Sequence, residues 1–251
     1  MARIFITGSA DGLGQLAAKE LINQSHEVVL HARNAKRGKE ALIALPAAKE
    51  VVTADLSNIE ETKALASTVN ALGPFDAVIH NAGVYQSSNK LTFLVNTIAP
   101  YILTCLINKP KRLIYLSSGM HKHGDPGMQN LLSDIQNINK YPNYSDTKLH
   151  DLILCMHVAR KWTDVYANAV DPGWVPTKMG GRGAPDSLTK GFQTQAWLAV
   201  SDDNNAKVSG RYFHHMKEAH YLPAADDIAV QEKFMDLCEQ ISGVRFPADD
   251  Y

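Results

Sequence analysis

The sequence has little with which to build a disulfide scaffold. Its three cysteines, Cys105, Cys155 and Cys238, are widely spaced and form no CxxC pair, a pattern that points to a reducing compartment and to thiols that pack as small hydrophobes. It has no excess of either charge. The 25 lysines and arginines stand against 26 aspartates and glutamates, a formal charge of −1, which speaks against the basic surface of a nucleic-acid binder. No window approaches the roughly 18 apolar residues needed to cross a bilayer. The opening Met1-Ala2-Arg3 runs into Ile4-Phe5-Ile6 without the basic and long apolar regions of a secretory signal. A cytoplasmic protein with no membrane span and no nucleic-acid partner is expected. His121-x-His123 and His214-His215 lack an H-E-x-x-H motif or an organised carboxylate cluster, so no metal is expected.

What is present is a repeating alternation. Residues 3–7, 27–31, 50–54, 76–80, 112–117 and 165–170 are short aliphatic or β-branched runs that predict buried strands. Between them lie segments of helical period at 12–24, 36–45, 59–72, 91–107, 145–162 and 187–200, followed by a short strand near 211–213 and a helix near 226–241. This rhythm predicts an α/β fold, a doubly wound and mostly parallel sheet of about seven strands with helices on both faces. No linker, low-complexity segment or repeat divides the chain, and residues 1–251 read as a single domain. The segments 119–143 and 173–186 follow predicted strands and emerge beyond the carboxyl ends of the sheet, where such folds bind ligands.

The first strand leads into Thr7-Gly8-Ser9-Ala10-Asp11-Gly12-Leu13-Gly14 and then a helix. Small residues in that context permit a tight turn and let the helix amino terminus approach a diphosphate. The spacing is G-x-x-x-G-x-G, without the Lys-Ser/Thr ending of an ATP-binding loop. At the end of the second strand, His31-Ala32-Arg33-Asn34 supplies an arginine where an acid would hold a ribose hydroxyl. That favours NADP(H) over NAD(H), with Arg33 as a surface cation the competing reading. Arg37 is either a second phosphate contact or a solvated helix charge. Asp11 is expected to point away from a phosphate.

Tyr144 and Lys148 begin the helix at 145–162 and stand one turn apart on the same face. A lysine charge favours tyrosinate and lowers a phenol pKa, which suits proton exchange with an alcohol or carbonyl. In Val95-Asn96-Thr97-Ile98-Ala99-Pro100 the proline lacks the N–H that would occupy the Asn96 carbonyl. Asn96 therefore either presents a carbonyl to water or stabilises a kinked helix.

In this order the motifs resemble those of the short-chain dehydrogenase/reductase family: Thr7-Gly8-x-x-x-Gly12-x-Gly14, Asn81-Ala82-Gly83, Ser117-Ser118, Tyr144-x-x-x-Lys148 and Pro172-Gly173. The match covers residues 3–215 and is nearest to retinol-dehydrogenase-like and carbonyl-reductase-like members. The resemblance implies a Rossmann fold and an NADP(H)-dependent oxidoreductase of EC 1.1.1 type, interconverting a carbonyl and an alcohol on a small, partly apolar substrate. It implies a catalytic set of Asn96, Ser118, Tyr144 and Lys148. Tyr144 would be general acid/base, Ser118 would polarise the substrate oxygen with Ser117 as the competing assignment, Lys148 would also bind the nicotinamide ribose, and Asn96 would support a relay water.

Cofactor contacts are implied at Thr7, Gly8, Ser9, Gly12, Leu13, Gly14, Arg33, Asp55, Leu56, Asn81, Ala82, Gly83, Tyr144, Lys148, Pro172, Gly173, Val175 and Thr177. Asp55 could instead belong to a helix cap near Ser57, and His80 stands where the family commonly has asparagine. Substrate selection falls to segments 119–143 and 174–195. There Met120, His121, His123, Met128 and Tyr141 line the site or are ordinary loop residues, and Trp174 and Met179 are pocket residues or, respectively, core and mobile-loop residues. The helices at 91–107 and 145–162 resemble the interface of a family homodimer or homotetramer. Two other functions stay open: a catalytically silent NAD(P)-binding regulatory or interaction protein, and an NAD(H)-preferring alcohol dehydrogenase.

Overall fold

The computed structural model describes residues 1–132 and 141–247. Eight strands form one sheet: β1 (Arg3–Ile6), β2 (Glu27–Ala32), β3 (Glu50–Thr53), β4 (Ala77–His80), β5 (Arg112–Leu116), β6 (Tyr166–Asp171), β7 (Arg211–His214) and β8 (Lys217–Glu218). Their order is β3-β2-β1-β4-β5-β6-β7-β8. Seven are parallel and the two-residue β8 closes the edge antiparallel to β7. The expected seven strands become eight because Lys217 and Glu218, too short and polar to carry a strand pattern, pair with His214 and Phe213.

The pleat divides the strand side chains between two cores. Phe5, Val29, Val78, Leu113 and Tyr115 point to one face, where α3 (Ile59–Ala71), α5 (Ala99–Leu106), α7 (Tyr144–Lys161) and α9 (Ile228–Ser242) pack. Ile4, Ile6, Val28, Leu30, Ile79 and Ile114 point to the other, against α1 (Gly12–Asn23), α2 (Ala35–Ala44) and α8 (Leu188–Val200). The order reverses between β1 and β4, so the loops after these strands splay apart and open a crevice at the carboxyl edge.

The helix expected over 91–107 is three pieces: α4 (Asn89–Phe93), a π-helical turn at Leu94–Ile98, and α5. In the wide turn the Ala99 N–H donates to the Leu94 carbonyl, five residues back. Pro100, which has no N–H, follows at once.

Both helices expected at a subunit interface are largely covered within the chain. Ser145 to Val158 of α7 and Ala99 to Cys105 of α5 are buried within the chain. The cover comes from the carboxyl-terminal segment. Phe234 packs against His150, Phe246 stacks on Trp162, Arg160 reaches Gln231 and Glu232, and the Tyr101 hydroxyl donates to the Val244 carbonyl at 2.7 Å. An oligomer built on these helices would require α9 to leave. The expected mass by static light scattering is that of one chain, 27.6 kDa; two or four times that mass would mean that another surface associates.

Candidate active site

The glycine loop is held from beneath by a histidine. His31 is buried at the end of β2, where its Nδ1 accepts from the Gly8 N–H at 3.0 Å and its Nε2 donates to the Ala54 carbonyl at 3.1 Å. Burial lowers its pKa to about 4, so it stays neutral and in that one tautomer. Ser9 is also interior: its hydroxyl donates to the Ile6 carbonyl and accepts from the His31 N–H. The expected cofactor contact at Ser9 is thus corrected, because its polar atoms are spent inside the loop.

Two glycines are required by close approach. A β-carbon on Gly8 would lie 2.8 Å from the Ala82 Cα, and one on Gly14 would lie 2.7 Å from the Gly8 carbonyl oxygen and collide with the Asn81 amide. Thr7 fixes the same junction by accepting from the Ala82 N–H at 3.0 Å, while the Asn81 amide donates to the Thr7 and Gly8 carbonyls.

The loop edges a groove of about 680 Å³ that runs the width of the crevice. Gly8, Gly12, Leu13, Arg33, Asp55, Leu56, Asn81, Ala82, Gly83, Tyr144, Lys148, Pro172 and Thr177 line it. Thr7, Ser9 and Gly14 shape the loop without facing the groove. Asp11 does face it, contrary to expectation, but its carboxylate is countered by Arg37 at 2.6 Å and Lys178 at 2.9 Å. Lys178 carries no motif and was not legible as a groove residue. Arg33 is exposed and enters no ion pair among the described residues. Asp55 accepts from the Ser57 N–H and hydroxyl, as the local-turn reading requires, while still lining the groove. The open face above Gly12 and, on the lining, the guanidinium of Arg33, unpaired among the described residues, fit a dinucleotide bearing phosphates.

A second cavity of about 600 Å³ adjoins the groove, sharing Leu13, Ser117, Tyr144, Pro172, Thr177 and Met179 with it. Ser118, Met120, Gly173, Trp174 and Val175 line only this cavity. Trp174 is 61% exposed, which rules out its core reading. Met179 is also exposed. His121 is instead buried, donating from Nδ1 to the Ser118 carbonyl and accepting at Nε2 from the Leu222 N–H, and Met128 is core. His123 is exposed and Tyr141 packs against the core. Of the segment 119–143, residues 133–140 lie outside the described residues.

Tyr144 stands between the two cavities, its ring 4.7 Å from that of Tyr85. Ser118 shares the lining of the second cavity with it. Ser117 turns the other way and donates to the Lys148 carbonyl at 2.7 Å, pinning α7 to the end of β5. That separates the two serines by task. The Lys148 ammonium lies 5.6 Å from the Tyr144 ring, donates to the Leu116 carbonyl at 2.6 Å and pairs with Asp151 at 2.8 Å.

Lys148 and Asp151 are both buried. Asp151 holds the lysine charged against the cost of burial, and its own pKa rises to about 6 because burial outweighs the lysine's attraction. The Tyr144 pKa is raised by burial, which exceeds the lowering by Lys148, and the Asp151 charge adds to the rise. The phenol thus stays protonated, the reverse of the lowering expected from a lysine alone.

Asn96 lines neither cavity. Its side chain bridges Val84 and α7, accepting from the Val84 N–H at 2.8 Å and donating to the Val84 carbonyl and the Thr147 hydroxyl. This is the kinked-helix role, and Asn96 still faces Gly83 alongside the Lys148 ammonium. Among the described residues no cluster of histidine, cysteine or carboxylate side chains could hold a metal, and no helix is long and apolar enough to cross a membrane.

Comparison with known proteins agrees with this geometry. The family model described as short chain dehydrogenase matches residues 2–105. An uncharacterized oxidoreductase of Emericella nidulans is 45% identical over 98% of this chain and 99% of its own length. A short-chain dehydrogenase of Gibberella zeae is 39% identical over 99% of this chain and 100% of its own. Among solved structures, an uncharacterized protein of Mycobacterium paratuberculosis shares the fold with a TM-score of 0.80 at 21% identity, covering 98% of this chain and 95% of that one.

Asp151→Asn keeps the shape but removes the charge that sustains the buried ammonium. The expected outcome is a Lys148 pKa that falls from above 10.5 to below it, read by NMR titration of 13C-labelled lysine side chains. A value that stays high would show that Asp151 does not set the charge of Lys148.

Proposed function

The chain belongs to the short-chain dehydrogenase/reductase family, oxidoreductases that use a nicotinamide cofactor to interconvert carbonyls and alcohols, and from that premise we propose an NADP(H)-dependent reductase of a small, partly apolar carbonyl compound. The observation that carries this reading is the position of the Tyr144 phenol at the meeting of the two cavities, with Ser118 on the wall of the second cavity and the Lys148 ammonium 5.6 Å from the Tyr144 ring. Bound in the groove, the nicotinamide would supply the hydride to the carbonyl carbon. Tyr144 donates its proton to the carbonyl oxygen as negative charge builds there. Ser118 hydrogen-bonds the same oxygen, and Lys148 supports the tyrosinate left behind. In the oxidising direction Tyr144 takes the proton back.

NADP(H) preference rests on the groove's outer end. Arg33 is free to meet a 2'-phosphate, whereas Arg37 and Lys178 offset the repulsion from Asp11. Leu56 and Asp55 would flank the adenine, Asn81, Ala82 and Gly83 the adjoining ribose and diphosphate region, and Thr177 the nicotinamide end. The whole chain acts as one cofactor-binding unit in this reading, located in the cytoplasm, with the segments 119–143 and 174–195 selecting the substrate.

Tyr144→Phe removes the proton while keeping the ring. Turnover of a carbonyl substrate should fall by about 100-fold or more, with NADPH affinity changed by less than about threefold, because the phenol oxygen is a minor part of the groove; turnover near that of the parent would end the assignment. Arg33→Ala should weaken NADPH roughly 10–100-fold, the value of a lost charge-assisted hydrogen bond, and leave NADH nearly unchanged. Parallel fluorescence titrations decide it, and equal losses for the two cofactors would remove Arg33 from the phosphate site.

A further inference from the structure

The cavity beyond Tyr144 is one-sided in charge. Its lining includes Asp171, Asp186 and His214 together with Tyr85, Met120, Trp174 and Met179, and among the described residues it contains no lysine or arginine. The Lys148 ammonium lies on the groove side and is already matched by Asp151. A substrate in this cavity therefore meets two carboxylates that share its lining with Ser118 and Tyr144 and are matched there by no lysine or arginine among the described residues.

Both carboxylates are fixed by backbone amides; Asp186 keeps its second oxygen for a ligand, while that of Asp171 is shared with the His214 imidazole. Asp171, at the end of β6, accepts from the Gly173 N–H through Oδ1 at 2.9 Å. Its Oδ2 faces His214 Nδ1 at 3.4 Å, and that nitrogen has no hydrogen-bond partner. Asp186 accepts from the Trp174 N–H through Oδ2 at 2.6 Å, while its Oδ1 makes no hydrogen bond among the described residues. Gly173 allows this arrangement. With φ at +80°, a β-carbon there would lie 2.6 Å from Asp186 Oδ2, so a side chain would drive the carboxylate out of the cavity. The remaining walls are flat rings and thioethers: Tyr85, Trp174, Met120 and Met179 are all partly exposed toward it.

From this geometry we infer a substrate class: a carbonyl compound with a flat, apolar or aromatic body that carries an amino or hydroxyl group donating to Asp186 and Asp171, to the exclusion of carboxylate-bearing carbonyl compounds. The inference rests on the reductase reading above and narrows it. The aromatic and thioether walls hold the flat body by burial and ring contact. A hydrogen-bond donor satisfies acceptors that are otherwise left to water, and a carboxylate placed there would be repelled at short range in a partly dry site.

The test uses acetophenone and its meta-amino, meta-hydroxy and meta-carboxylate derivatives with the purified full chain and NADPH. Affinity for the protein–NADPH complex is measured by ligand-observed NMR competition, separately from NADPH oxidation. The amino and hydroxy probes should bind about tenfold or more tightly than the parent, and the carboxylate probe about tenfold or more weakly. In Asp186→Asn, whose amide oxygen can still accept from Trp174, the preference for the amino over the carboxylate probe should shrink by about tenfold. A carboxylate probe that binds as well as the amino probe, an unchanged preference in the variant, or no binding by any probe would overturn the substrate class. The expected binding order without NADPH oxidation would leave the class standing and count against the reductase reading instead.

Discussion

The buried ion pair of Lys148 and Asp151 is the constraint from which the site takes its shape. An ammonium interred at the foot of the sheet is tolerable only if its hydrogen bonds are met, and here the Leu116 carbonyl and the Asp151 carboxylate meet them. Because Leu116 ends β5 and Asp151 lies one turn further along α7, the pair fixes the helix to the strand. Ser117 repeats the tie through the Lys148 carbonyl. Tyr144, at the start of the same helix, then has one place to stand. The pair also sets the electrical tone of the site. An ammonium matched by its own carboxylate polarises a neighbouring phenol less than a bare one, so burial prevails and Tyr144 keeps its proton.

Most of the frame could be read from the sequence because its signals are local. Strand runs and helical periods are set by neighbours along the chain, and seven strands fall within a residue or two of their expected limits. The glycine loop and the Tyr144 and Lys148 pair were legible for the same reason. Fixed spacing at the start of a helix is geometry that a sequence carries directly. What stayed hidden depends on residues far apart in the chain. His31 looked like part of a strand end, and only the approach of Gly8 and Ala54 makes it the prop of the loop. Ser9 sat inside the motif but faces inward, which spacing cannot express. Asp151 was one more polar residue on a helix until folding buried it beside Lys148. Lys178 reaches Asp11 across 167 positions. The π turn before Pro100 was half legible: the missing N–H was plain, the widened turn that absorbs it was not.

Charge is distributed along the crevice in a way that orients what binds. Arg33 stands free of ion pairs among the described residues where the loops after β1 and β2 meet, with Arg37 and Lys178 matched there by Asp11, while Asp171, Asp186 and His214 gather beyond Tyr144. On the proposed reading a phosphate-bearing molecule is drawn to one end and repelled from the other, so its uncharged ring is delivered to the phenol. The two cavities share Leu13, Ser117, Tyr144, Pro172, Thr177 and Met179, and the shared residues mark where the two ligands would touch. Pro172 and the left-handed Gly173 keep this wall thin, allowing carboxylates to stand directly behind it.

The cover that α9 and the residues after it place over α7 has a consequence for how the site responds to dilution. Every group that positions Tyr144, from Ser117 and Asp151 to the ring of Phe234 over His150, belongs to the same chain. These contacts are intramolecular, so the share of the helix's packing that they supply does not decline with dilution.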